Sequence, residues 1–81
     1  MKYAHEVEKI FNHFGVSQYE KLHEECLEYV DAETPEEWDD EAADVFVVAL
    51  QLFMHNPSIR KRVRYKINRT LKRIKEGYYE K

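Results

Sequence analysis

Apolar residues recur along this chain at intervals of three and four, with no sustained alternation, so the pattern predicts helices and no strands. The first run, Tyr3, Val7, Ile10 and Phe14, marks a short helix that Gly15 ends, since glycine accepts the backbone turn beyond a helix C-terminus. Ser17 and Glu20 form a Ser-x-x-Glu capping box that opens a second helix. It runs to about Asp31 and carries Tyr19, Leu22, Cys26, Tyr29 and Val30 as its apolar stripe. The third start is the best marked, with Thr34 at the cap, Pro35 at the first helical position and Glu37 closing a second box. Glu36 and Glu37 also suit the positive end of the helix dipole. This helix runs to about Met54, and from Val45 onward it is apolar almost all round, the pattern of a helix buried on several sides. Asn56-Pro57 opens a fourth helix striped by Ile59, Val63, Ile67, Leu71, Ile74 and Tyr78, with Gly77 near its end. Short connections make consecutive helices antiparallel neighbours. The expected fold is therefore all-α, an antiparallel up-and-down four-helix bundle with a short first helix, in one domain spanning residues 1–81.

Length changes the picture next. A lone chain of 81 residues buries only about 60% of its unfolded surface, so it is marginal without support. Cys26 is the single cysteine, which excludes an intrachain disulfide and a cysteine metal cluster and fits a cytoplasmic protein. Oligomerisation, a bound divalent metal, or both remain as supports. The charged, amphipathic start MKYAHEVEKIF has no apolar leader segment. The longest apolar stretch, Val45 to Met54, is far short of the roughly 20 residues that cross a bilayer, so no membrane partner is expected.

The formal net charge of −3 conceals a division. Residues 1–56 hold 14 acidic and 3 basic side chains, whereas residues 57–81 hold 2 acidic and 10 basic ones. Such segregation points to pairing of an acidic with a basic element, or to a polyanion bridged to the acids by metal. The acids are ordered. The second helix carries Glu25-x-x-Glu28, with Glu24 alongside, and the third carries Glu41-x-x-Asp44. Residues three apart share a helix face, so each helix presents a carboxylate pair, and antiparallel packing can bring the pairs together. Four carboxylates in one pocket repel unless a cation neutralises them, and an all-oxygen donor set suits Mg²⁺ or Mn²⁺. Glu41 and Asp44 also align with Val48, Gln51 and Leu52, a face that should be buried. The plainer reading, solvated acidic faces on both helices, stays open at this point, above all for Glu24 and Glu28.

The segments LHEECLEYV and EAADVFVVALQLF together resemble the MazG-like all-α nucleotide pyrophosphohydrolase superfamily, whose signature is Glu-x-x-Glu, a spacer, then Glu-x-x-Asp. Here the spacer is residues 29–40, and the resemblance covers about residues 17–79. It implies that Glu25, Glu28, Glu41 and Asp44 hold Mg²⁺, and that an activated water attacks a nucleoside triphosphate to give a monophosphate and pyrophosphate. Glu24 or Glu25 is the candidate general base. It also implies a homodimer or homotetramer, which the small core asks for independently. The string Glu41-Ala-Ala-Asp44 is similar to phosphoribosyl-ATP pyrophosphohydrolase as well, although the Tyr-His usual after the aspartate of that branch is missing.

The last helix places nine Lys/Arg between Arg60 and Lys75. Arginine forks suit phosphate oxygens, and the resemblance implies substrate contacts from Arg64, Asn68 and Arg69, with Arg73 and Tyr78 added by position. Solvated charges, or pairs with the acidic helices, are the plain alternative. Nucleic-acid binding is a third reading; the acidic composition and the need to bury the apolar stripe speak against it. Glu20-x-x-His23 is half of a di-iron motif with no second half. His5, His13 and His55 lie near helix ends, and Cys26 reads as a small core residue.

Overall fold

A computed structural model of the chain describes residues 2–78; Tyr79, at the end of the segment singled out above, lies outside them. Four α-helices make up nearly all of this span, and no strand occurs among the described residues. They are α1 (Ala4–Phe14), α2 (Gln18–Asp31), α3 (Pro35–His55) and α4 (Pro57–Lys75), with a 3₁₀ turn, Gly15–Ser17, between the first two.

Each boundary has a local cause. Gly15 turns the chain with φ +67°, a conformation that favours glycine. Ser17 does not cap α2: its hydroxyl donates to Phe14 O at 2.8 Å, because the 3₁₀ turn leaves Ser17 helical rather than extended. The expected Ser-x-x-Glu box is therefore not made. At α3 the cap forms as expected, with Thr34 Oγ1 accepting from Glu37 N at 3.2 Å. Glu37 reaches back one residue further than a standard box, accepting from Glu33 N at 2.9 Å. Trp38 closes the same corner by donating its indole N–H to Ala32 O.

The packed unit is α1, α2 and α3. Val7 and Phe11 of α1 are buried with Val48 and Leu52 of α3. The Phe11 ring stacks on His55 with centroids 4.1 Å apart, so that histidine anchors α1 to the end of α3. α2 lies antiparallel along α3. Cys26 points outward and is exposed, since only one edge of α2 faces α3; it is no core residue.

α4 departs from the expected bundle. A single residue, Asn56, joins it to α3, and Asn56 Oδ1 caps it by accepting from Ser58 N. Arg60 Nη1 donates to Phe53 O and Met54 O, tying the new helix to the last turn of the old one. α4 packs on α3 at this corner, and none of its residues is buried. Its stripe stands in solvent, with Ile67, Leu71 and Ile74 each more than half exposed. The radius of gyration, 15.3 Å, exceeds the about 12 Å of a compact domain this long. No helix among the described residues is long and apolar enough to cross a membrane.

Candidate metal centre

The seam between α2 and α3 sets the site. Gln18 meets Gln51, and farther along, Glu25 and Glu28 meet Asp44 and Glu41. In each of the pairs Gln18–Gln51, Glu25–Asp44 and Glu28–Glu41 the residue numbers add to the same value, the mark of two antiparallel helices in constant register. Seven residues, two turns or about 10 Å, separate the amide pair from the carboxylates.

Glu25, Glu28, Glu41 and Asp44 each turn one oxygen into a common space, and these four atoms lie within 4.8 Å of one another. Glu25 is buried, Glu41 half-buried, and Glu28 and Asp44 are exposed, so the cluster opens to solvent on one side. Lys21 is the nearby cation, its Nζ 3.0 Å from Glu25 Oε1 and 3.3 Å from Glu24 Oε2. Hydrogen bonds to Glu25 and then Glu24 hold the Lys21 ammonium above its ordinary pKa. Glu28 is also held above the usual carboxylate range, first by the hydrogen bond that its protonated form can donate to Glu25 and by the Glu25 charge, then by desolvation and by Glu41.

The donor set fits a divalent cation. Glu25 Oε2 and Glu41 Oε2 are buried atoms with no hydrogen-bond partner among the described residues. An orphaned carboxylate oxygen is costly to bury, and two of the four clustered residues carry one that an oxygen-seeking cation could satisfy. One lysine cannot neutralise four acids. All four carboxylates named from the sequence are thus brought together, including Glu28, for which a solvated face had stayed open.

The other candidates lie apart. Glu24 is on the rim, largely exposed and engaged with Lys21. Arg64, Asn68, Arg69, Arg73 and Tyr78 belong to α4 or the turn after it, and no α4 residue lines the cluster or the adjoining cavity. There, Arg62 and Arg69 flank the Tyr65 ring at 4.6 and 5.7 Å, and Arg73 lies 4.7 Å from the Tyr78 ring. Arg69 Nε is buried without an acceptor among the described residues.

Sequence reasoning passed over the cavity itself. It holds about 560 Å³, begins at Glu25 and Asp44, and runs along the seam to Gln18 and Gln51 under Ile10 and Phe14 of α1. One signal was available: Gln51 is the lone polar residue between Val45 and Met54, two turns beyond Asp44 on its face. No protein-family model, curated protein or solved structure matches the chain.

Proposed function

We propose that the chain is a Mg²⁺-dependent, Mn²⁺-tolerant nucleoside triphosphate pyrophosphohydrolase of the MazG-like kind, converting a ribo- or deoxyribonucleoside triphosphate and water into the monophosphate and pyrophosphate. One observation carries the reading: four carboxylates, ordered Glu-x-x-Glu then Glu-x-x-Asp, converge within 4.8 Å beside a cavity of ligand size. A divalent cation held there supplies charge neutralisation and polarisation of phosphate oxygens and water. Glu25, Glu28, Glu41 and Asp44 are its holders. Glu25 is the stronger candidate for the general base, because it is buried and one oxygen has no partner; Glu24, on the rim, is solvated. Lys21, kept protonated by Glu25 and Glu24, places a positive charge where a phosphate chain would enter.

The working form is a homodimer or homotetramer in which neighbouring chains complete the bundle and bring the cations of α4 to the pocket. Surface area favours this. The chain exposes 6930 Å², against about 5,200 Å² for a compact monomer of its mass. The excess of about 1,700 Å² is about twice what one partner buries in a standard interface, enough for two such contacts or one large one.

The test is pyrophosphate release from a panel of NTPs and dNTPs with Mg²⁺, for the native chain and for Glu41→Gln and Asp44→Asn. Pyrophosphate rather than phosphate should appear, and it should vanish with EDTA. Each variant should lose at least the about 100-fold that even an outer partner of a metal ligand can cost. A folded, Mg²⁺-loaded protein that turns over no nucleotide rejects this reading; phosphoribosyl-ATP is then the next substrate to try. The exposed cations of α4 also keep nucleic-acid binding open, and salt-sensitive DNA or RNA affinity without turnover would favour it.

A further inference from the structure

The far end of the cavity, two turns from the carboxylates, has no part in the chemistry above. We infer that this end receives the base of the nucleotide, with Gln18 reading its polar edge and Gln51 positioning Gln18; the inference rests on the nucleotide reading of the neighbouring cluster.

The amides are fixed in sequence. Gln51 is 1% exposed, and its Nε2 donates to Val47 O, an acceptor that cannot change role. That bond turns Gln51 Oε1 toward Gln18, which must answer with an N–H, and does so at 2.9 Å. The orientation of Gln18, itself 6% exposed, follows from that chain of bonds. One proton of the Gln18 amide is used; its second proton and its carbonyl oxygen make no hydrogen bond among the described residues. The carbonyl oxygen is not sealed from solvent and Gln18 lines the cavity, so a ligand that offers a donor, and an acceptor for the second proton, can take the place of water there. The polar edge of a nucleobase offers both.

The walls agree with a flat aromatic guest. Ile10 and Phe14 on one side and Val47 and Val48 on the other border the cavity, and Phe14 remains 56% exposed. Apolar walls with a few fixed polar groups are the usual make-up of a small-molecule site. Direction follows from register: base at Gln18–Gln51, phosphates at Glu25 and Asp44, the span between them about 10 Å along both helices.

The experiment follows the side-chain amide signals of Gln18 and Gln51, the two glutamines of the chain, by ¹⁵N NMR of the unaltered protein labelled at glutamine and assigned by through-bond correlation; Gln18→Leu and Gln51→Leu are used for the affinity arm. Non-hydrolysable α,β-methylene triphosphates of each base are added with Mg²⁺, and Mn²⁺ and inorganic tripolyphosphate are titrated separately. One analogue should bind best and move both amide signals. Gln18→Leu should weaken it at least tenfold and flatten the preference among bases, with Mn²⁺ and tripolyphosphate affinities unchanged within twofold. Gln51→Leu should flatten the preference in the same way. Analogues that bind while both amide signals stay still overturn the inference and leave the nucleotide reading standing. Tight Mn²⁺ binding with no affinity for any analogue removes both. The NMR arm uses the unaltered chain, so a variant that fails to fold does not rescue the idea.

Discussion

At Glu25 a buried carboxylate divides its oxygens, Oε1 meeting Lys21 Nζ at 3.0 Å and Oε2 meeting no hydrogen-bond partner among the described residues. Replacing it with Gln removes the charge and keeps the shape, so Glu25→Gln should stay folded while its Mn²⁺ affinity, read by titration calorimetry, falls at least about 100-fold. Glu28 makes a prediction about pH. Without metal its pKa is raised, chiefly by Glu25, so the folded chain keeps a proton that the unfolded chain has already released. The contribution is present at and below the usual carboxylate range and is lost as pH rises through the raised value. The Tm of the metal-free chain should therefore fall as pH climbs across that window. Saturating Mg²⁺, which favours the ionised form, should remove the fall, and Glu28→Gln should flatten it without metal. A Tm profile unaffected by Mg²⁺ and by Glu28→Gln would refute the coupling.

At the scale of elements, the corners are where sequence and structure compare most closely. Thr34, Pro35 and Glu37 announce α3, and Asn56-Pro57 announces α4, because caps are local chemistry that needs no knowledge of the fold. Thr34→Ala should cost about 1 kcal/mol in urea unfolding. Ser17 looked alike and caps nothing, since the 3₁₀ turn before it is set by Gly15 and by the packing of α1 on α3. Gly15 has nothing within 4 Å of where a Cβ would stand, so any penalty for Gly15→Ala comes from its backbone, φ +67° and ψ −147°. That substitution should cost about 1–3 kcal/mol, and a neutral result would show that the turn relaxes. The carboxylates were legible because two i, i+3 pairs on adjacent helices constrain each other. The register that sets Gln18 against Gln51 was not, because a constant offset between helices depends on the whole seam. Nor was the departure of α4: a stripe such as Val63, Ile67, Leu71 fixes a face, and does not say which chain covers it.

For the molecule as a whole, the uncovered stripe of α4 separates two outcomes. Were the chain a monomer, Ile67→Glu and Leu71→Glu would be harmless, since both side chains are already more than half exposed. In the proposed oligomer they bury charge at an interface, so the mass read by light scattering should drop from a multiple of 9.9 kDa to the single chain. Unchanged mass in both variants would place the contact elsewhere. The α3–α4 corner bears on this in another way. One residue separates the helices, and it is held from both sides by Asn56 Oδ1 on Ser58 N and by Arg60 on Phe53 O and Met54 O. A joint with no slack works like a carpenter's square: the heading of α4 is a property of the corner, and every copy inherits the same one. The point-group symmetry open to the proposed assembly would then be written in the three or four residues of this corner. One glycine inserted after Asn56 would give the joint slack and free the heading of α4, so the proposed assembly should lose its single defined shape while α1–α3 stay as they are.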